Sequence, residues 1–471
     1  MKKKENRRLK HHSDQYLYGS SPSLRFFVTT SRGFEDILAE ELEEIFLNLQ
    51  IKHQIWKGSA GCYIESAWSG AIAANLASLC ASRVLLVLLE REIQSESDIY
   101  ECAREIDWTE LFQKHQTFSV NASINHTFIE NSMFVGLKIK DAICDRFRDK
   151  FGTRPNVNTE NPDVKIFARL VQNKLSISVD TTGEPLSQRG YRLKTVEAPL
   201  KESLAASLLR LTGWNALASQ IWENATAVYF EDKETRILKQ QAIPTKNILL
   251  SPFLRDPMCG SGTFSIEAAL ALLHWKPNVH RPHFAFFNLL PDYEREIKAV
   301  VKDLKNKILA NEKSISDLLL VIKNYANNNN ISYNENSLNF ITASDIAEKN
   351  LEIAKECAKN AGVAKLISFV RSDVLQTKPH ASHGLCIVNP PYGERLEENT
   401  NLEPLYKSLG DLWKQEYPNW VAWLLSGNEE VAKKVGLKPT RKISVYNGNI
   451  PCKFFQFVMY PRNSKNSNSR P

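Results

Sequence analysis

Apolar and polar positions along the chain change period repeatedly, and each change marks an element. Residues 24–30 read as a strand, after which Phe34, Ile37, Leu38, Leu42 and Ile45 recur at helical spacing behind Ser31, Arg32 and Gly33. Residues 51–64 read as a hairpin with Gly58 and Gly61 near its turn, 72–80 as a second helix, and 84–89 as a further strand. Between 118 and 179 strands flank a helix over 134–151, and a linker helix over 198–211 ends at Gly213. The second half changes character. Short apolar runs at 248–254, 339–344, 366–370, 385–388 and 421–425 suit strands buried on both faces of a parallel sheet. Helical stretches fall between them: 266–273, the amphipathic 292–310, and the helix traced by Leu351, Ala354 and Ala358 and closed by Gly362. Asn327 to Asn330 reads as a polar loop, and 443–460 as an antiparallel pair around Asn447, Gly448 and Asn449.

Composition narrows the class only a little. The chain has 471 residues, 43% hydrophobic and 24% charged, as expected of a globular protein of two or three domains. No apolar run is long enough to span a membrane, and the basic N-terminus has no apolar run behind it, so no secretory signal is expected. The eight cysteines (Cys62, Cys80, Cys102, Cys144, Cys259, Cys357, Cys386, Cys452) are scattered, and His280 and His283 lack partners at ligand spacing. The thiols therefore read as reduced and cytosolic, and no metal is expected. A net charge of +7 fits a nucleic-acid partner without establishing one. Residues 1–24 read as a basic flexible arm and 463–471 as a polar tail. The helix over 134–151 carries Lys138 and Arg146, followed by Arg154, Lys165 and Arg169, with Asp141, Asp145 and Asp149 offsetting part of the charge.

Chemistry concentrates at two strand ends. Val388, Asn389, Pro390, Pro391, Tyr392 and Gly393 follow the run 385–388, where Pro390 has no amide hydrogen and so ends the ladder. The Asn389 side-chain carbonyl and the Pro390 backbone carbonyl make two adjacent acceptors, which suits one amino group with two hydrogens. Accepting both favours a localised nitrogen lone pair, and Tyr392 offers a face for a stacked base. A Pro-Pro turn with a packed Tyr is the bland alternative for this motif alone. The second site is Asp256, Pro257, Met258, Cys259, Gly260, Ser261, Gly262 and Thr263, a glycine turn between strand and helix. It lacks the lysine of a phosphate-binding loop, so a nucleotide without phosphates such as S-adenosylmethionine fits better, with Asp256 at the ammonium end. Asp345 and Asp373 each follow a strand and are expected to accept the ribose hydroxyls and the adenine amino group; either alone is more often a helix cap.

These two motifs, with Thr181, Thr182, Gly183, Glu184, Pro185, Leu186, Ser187, Gln188, Arg189, Gly190, Tyr191 and Arg192, resemble the class I methyltransferases with an Asn-Pro-Pro-Tyr motif. In particular they resemble the large-subunit ribosomal RNA guanine-N2 methyltransferases that carry a THUMP domain. The resemblance spans about residues 25–460 and implies an α/β fold, a Rossmann-like sheet preceded by an α+β RNA-binding region. The implied domains are a ferredoxin-like unit over 25–75, a THUMP domain over 76–185 and the S-adenosylmethionine-dependent domain over 186–462. Larger family members carry a second methyltransferase domain after this one, which this chain is expected to lack. Residues 215–255 and 276–335 exceed what the family needs and receive no role.

The resemblance implies methyl transfer to the exocyclic N2 of a guanine in 23S ribosomal RNA by a cytoplasmic monomer, without metal or membrane. Asn389, Pro390, Pro391 and Tyr392 are the implied catalytic set, and Asp256, Gly260, Gly262, Asp345, Asp373 and Asn389 the cofactor set. Lys138, Arg146, Arg154, Lys165, Arg169 and Arg189 are the implied RNA contacts. Transfer RNA is the alternative substrate. DNA adenine and release-factor glutamine methyltransferases share Asn-Pro-Pro-Tyr but do not need residues 25–185, and a non-catalytic ribosome-assembly protein is the remaining alternative.

Overall fold

A computed structural model describes residues 24–192, 200–230, 253–290, 293–328, 340–379, 381, 383–391 and 402–460. Tyr392, most of the N-terminal arm and the polar tail lie outside the described residues. The chain forms two compact units, Met1–Ser187 with Lys276–Ala310, and Gln188–Trp275 with Asn311–Pro471.

The first unit is built on one seven-stranded sheet. Its strands are β1 (Leu24–Thr29), β2 (His53–Gly58), β3 (Gly61–Ser66), β4 (Arg83–Glu92), β5 (Phe118–Asn125), β6 (Val164–Val171) and β7 (Lys174–Asp180), in the order β2-β3-β1-β4-β7-β6-β5. The hairpin turns as expected, with Gly58 opposite Gly61. Antiparallel pairing of β4 with β7 joins the ferredoxin-like and THUMP segments into a continuous sheet. Helices α1 (Glu35–Asn48), α2 (Trp68–Ala77), α3 (Ser97–Glu105) and α4 (Ser132–Phe151) bury their apolar sides, α1 through Ile37, Leu38, Leu42, Ile45 and Phe46. Asn131 caps α4 by accepting from Met133 N, and Gly152 closes it in the left-handed conformation. The helix Glu294–Leu309 also belongs to this unit, and it packs on α2 with Ile297, Val300, Val301, Leu304 and Ile308 buried.

The second unit holds a seven-stranded mixed sheet. Its strands are β8 (Leu254–Asp256), β9 (Ile341–Asp345), β10 (Ile367–Arg371), β11 (Gly384–Val388), β12 (Trp420–Ser426), β13 (Arg441–Asn447) and β14 (Ile450–Val458). The order is β10-β9-β8-β11-β12-β14-β13. The first five are parallel, while β14 pairs antiparallel with β12 and with β13. Strand order reverses at β8, whose neighbours are β9 and β11, and ligands of open α/β sheets bind at the carboxyl ends beside such a reversal. The final hairpin turns on Gly448 and Asn449, with Asn447 paired to Ile450. Helix α5 (Glu202–Leu211) starts later than expected, and α6 (Trp214–Phe230) follows it. Trp214 and Trp222 of α6 donate indole N–H groups to Ala268 and Leu272 carbonyls of α7 (Thr263–Leu272). Helix α8 (Ile315–Asn328) takes in Asn327 and Asn328, which the polar pattern assigned to a loop; α9 (Glu348–Asn360), α10 (Glu403–Glu416) and the short helix Glu429–Lys433 also belong to the unit.

Candidate functional site

The turn between β8 and α7 is shaped by two glycines with positive φ, Gly260 at 53° and Gly262 at 77°. Gly262 is constrained twice, because a Cβ there would also stand 3.1 Å from Ala354 Cβ of α9. Cys259 N donates to Ser344 O of β9 at 2.9 Å, and Gly260 N donates to Asp345 Oδ2 at 3.0 Å. Burial pushes the Cys259 thiol well up, with Asp256 and Asp345 adding to the effect, so this cysteine stays protonated.

Asp345 has a second set of contacts. Its Oδ1 accepts from Ala347 N at 2.9 Å and from Asn350 Nδ2 at 3.1 Å. A carboxylate offers about four acceptor positions. Three are filled, so one ligand hydroxyl can be added directly, and a second requires one of these N–H groups to let go. Asp373 caps the turn Val374–Gln376 by accepting from Leu375 N at 2.9 Å through Oδ1. Both aspartates thus organise the local backbone in addition to facing the cleft.

The carboxyl ends of β8, β9 and β10 meet in a cleft of about 450 Å³, lined by Pro257, Met258, Asp345, Ile346, Asp373, Leu375 and, from α10, Leu405 and Ser408. Its volume lies within the roughly 300–1,000 Å³ of small-molecule sites. Ile346 is 65% exposed and Leu375 38% exposed, leaving two apolar side chains open beside two carboxylates. Sequence reading named the aspartates and missed these neighbours. The signal was an apolar residue directly after an acidic strand end.

Asp256 ends β8 and is buried. Ser265 Oγ donates to its Oδ2 at 2.9 Å, whereas Oδ1 is buried with no hydrogen-bond partner among the described residues. Burial raises this carboxyl to about 7; the Ser265 hydrogen bond opposes the shift and the Asp345 charge adds to it. Asn389 follows β11, the strand beside β8, and its Oδ1 is likewise buried and unpartnered among the described residues. Such an acceptor is costly to leave unpaired. Pro390 is buried and Pro391 half-buried.

The basic residues separate. Arg146 of α4 pairs with Asp107 at 3.3 Å, Lys138 Nζ lies 5.3 Å over the Phe134 ring, and exposed Arg154 reaches Cys144 Sγ at 3.9 Å. Lys165 and Arg169 stand on one side of β6. Arg189 corrects the expectation of an RNA contact. Its Nε is 3.3 Å from Glu267 Oε1 with neither side chain exposed, so no phosphate can reach it without breaking a buried ion pair. Nearby, Tyr191 donates to Glu267 Oε1 at 2.9 Å, and Arg192 donates to Thr263 Oγ1 at 2.6 Å. The stretch 181–192 is therefore anchored at both ends. Thr181 and Thr182 hydrogen-bond Asn75 in the first unit, and Arg189, Tyr191 and Arg192 hold α7 in the second.

Among the described residues no group of three or more His, Cys, Asp or Glu stands where it could hold a metal ion, and no helix is long and apolar enough to cross a membrane.

Comparison with known proteins matches these parts in order. The RlmL ferredoxin-like domain family matches residues 25–85, the THUMP domain 94–180, and the RMKL-like methyltransferase domain 251–456. The chain is 34% identical over 442 residues to "Ribosomal RNA large subunit methyltransferase K/L" of Shewanella sp. (strain W3-18-1), covering 94% of this chain and 54% of that protein. It thus spans about half the length of the curated relatives it matches. A possible methylase from Clostridium difficile 630 superposes with a TM-score of 0.69 at 26% identity, covering 94% of this chain and all of that one. SMU.472, a putative methyltransferase complexed with SAH, gives the same TM-score and coverage at 23% identity, a likeness of fold. The chain therefore carries, in order, an RlmL-type ferredoxin-like domain, a THUMP domain and an RMKL-like methyltransferase domain.

Proposed function

We propose that this chain transfers a methyl group from S-adenosylmethionine to the exocyclic N2 of a guanine in large-subunit ribosomal RNA, working in the cytoplasm as a single chain. The observation that carries the reading is Asn389 Oδ1, a buried acceptor with no partner among the described residues, at the end of the strand next to the glycine turn. A guanine amino group would supply the missing donors. The name of the curated relatives, which concerns ribosomal RNA of the large subunit, favours that substrate over transfer RNA.

The residues present fit the cofactor. Asp345 has acceptor capacity for a ribose hydroxyl, Asp373 lines the same cleft, and Ile346 and Leu375 offer apolar surface for an adenine ring. Asp256 Oδ1 is an unpaired buried acceptor suited to an ammonium group. When bound, the cofactor supplies an activated methyl group on a sulfonium. The chain's own residues orient the acceptor nitrogen: Asn389 Oδ1 and the Pro390 carbonyl accept its two hydrogens and localise the lone pair, and Tyr392 is assigned the stacking face. Holding the reactants in line replaces a rare encounter with a positioned one, and a guanine within a helix has to be flipped out to reach these acceptors.

The test is incubation of the purified chain with unmodified 23S RNA, unmodified transfer RNA and isotopically labelled S-adenosylmethionine, followed by nucleoside mass analysis. N2-methylguanosine in 23S RNA is expected. Label confined to transfer RNA, or found as N6-methyladenosine, contradicts the proposal.

A further inference from the structure

The sheet of the first unit has a second face. In β6 Ile166, Ala168 and Leu170 are buried while Lys165, Phe167 and Arg169 stand outward, and in β1 Phe26 and Val28 are buried while Arg25 and Phe27 are not. The register joins Trp56 to Tyr63 and Tyr63 to Phe27 towards the β2 edge, and Phe167 to Asn121 towards the β5 edge, while between them Leu85 of β4 and Ser178 and Asp180 of β7, on the same face, are less than a tenth exposed. At the β2 end the Trp56 and Tyr63 rings stack 5.4 Å apart, 11° from parallel, and Phe27 lies 4.8 Å from Tyr63. Gly58 makes room for them, since a Cβ there would stand 2.9 Å from Phe27 and 3.0 Å from Tyr63.

Cross-strand aromatic pairing stabilises any sheet, and that accounts for Phe27 and Tyr63. It does not account for Trp56, which is 37% exposed on an edge strand with the Arg25 guanidinium 5.4 Å over its ring. At the other end Lys165 and Arg169 form no ion pair within 4 Å among the described residues. The cations around α4 are instead largely committed, Arg146 to Asp107, Arg148 to Asp145 and Arg104 to Asp149.

We propose that the exposed groups on the two sides of this face bind single-stranded RNA, with Trp56 stacking on a base and Lys165 and Arg169 holding phosphates. The proposal rests on the RNA reading above and adds the surface and the strandedness. Strands β2 and β6 are separated by the four strands β3, β1, β4 and β7. At ~4.8 Å per step this places them roughly 24 Å apart. A few extended nucleotides cover that distance, near the lower end of the roughly 4–16 that single-strand surfaces take. Aromatic faces with flanking cations bind unpaired bases, whereas a duplex hides its bases from such a surface.

The test uses the full chain with fluorescein-labelled octauridylate, read by anisotropy over a salt series, with a melting curve for every variant. Trp56→Ala is expected to weaken binding about tenfold or more, and Trp56→Phe to recover most of the loss. Arg169→Gln is expected to lower the salt slope by about 0.7. A hairpin duplex is expected to compete poorly. Wild-type affinity in a well-folded Trp56→Ala variant overturns the proposal, as does a dimer in sedimentation that depends on Trp56, which would assign the face to a second copy. If the wild type binds 23S RNA but not octauridylate, this surface alone falls; if it binds neither, the RNA reading falls with it.

Discussion

The backbone N–H of Gly260 donates to Asp345 Oδ2 at 3.0 Å, tying the turn after β8 to the end of β9 across 85 positions of sequence. Any change at Asp345 therefore disturbs the turn as well as the cleft. Asp345→Ala is expected to weaken S-adenosylmethionine binding by about 1–3 kcal/mol and to lower the melting temperature, because three N–H groups lose their acceptor. Asp345→Asn keeps one oxygen for Ala347 N, so it should recover much of the melting temperature while affinity stays low. Calorimetric titration beside thermal melting separates the two effects. Unchanged affinity with a lowered melting temperature would reduce Asp345 to a structural cap.

Asp256 and Glu267 give stability a pH dependence whose sign follows from burial. Both carboxyls are raised to about 7, chiefly by burial; Ser265 opposes the shift at Asp256, and Arg189 opposes it at Glu267. A raised acid keeps its proton in the folded state where the unfolded chain has lost it. Its contribution is therefore complete below the unfolded value of about 4 and is lost as pH rises towards 7. The melting temperature is expected to fall between about pH 5 and pH 7, and Asp256→Asn should flatten part of that slope. A melting temperature that climbs through the same interval would contradict these assignments.

Arg189 Nε and Glu267 Oε1 lie 3.3 Å apart with neither side chain exposed, and form an ion pair once Glu267 loses its proton near pH 7. Removing one partner of such a pair typically costs about 3–5 kcal/mol. Arg189→Ala is thus expected to lower stability strongly, while a folded sample at low temperature retains the RNA affinity of the wild type. Loss of affinity without loss of stability would return Arg189 to the RNA surface where its sequence context first placed it.

The helix Glu294–Leu309 lies within the sequence of the methyltransferase half, yet it packs on α2 of the first unit. Deleting residues 1–185 exposes its buried side, so the truncated chain is expected to aggregate. Removing 276–310 as well should restore a monodisperse product. Light scattering distinguishes them, and a monodisperse product from the simple deletion would mean that this packing is dispensable.

Part of the second unit was legible because a strand buried on both faces is mostly apolar, which holds for 384–388 and 420–426; β9 is buried yet carries Thr342, Ser344 and Asp345, and β10 lies at the sheet edge with Val370 42% exposed, against the expectation of burial on both faces. The glycine turn and the two strand-end aspartates were readable for a related reason: positive φ and exposed strand ends restrict residue type locally. Contacts set by distant partners were not readable. An arginine beside Gly190 and Tyr191 looks like a surface group until Glu267 is brought to it. Nothing in β4 announces that it joins β1 to β7, and helix α8 was missed because its asparagine-rich end resembles a loop. The outward face of the first sheet was hidden similarly, since Trp56, Tyr63 and Phe27 become neighbours only through strand pairing.

The central claim is that Asn389 binds the amino group being methylated, and single-turnover methyl transfer by Asn389→Ala tests it most directly. With excess enzyme on unmodified 23S RNA, docking is saturated and the rate reports chemistry. The interaction strengthens as the nitrogen becomes pyramidal and gains positive charge, so its loss falls on the transition state. A reduction of roughly two orders of magnitude, about 3 kcal/mol of barrier, is expected, with S-adenosylmethionine affinity within a few fold of wild type. Transfer at the wild-type rate would mean that the Asn-Pro-Pro-Tyr segment only ends a strand, and the catalytic account would fail.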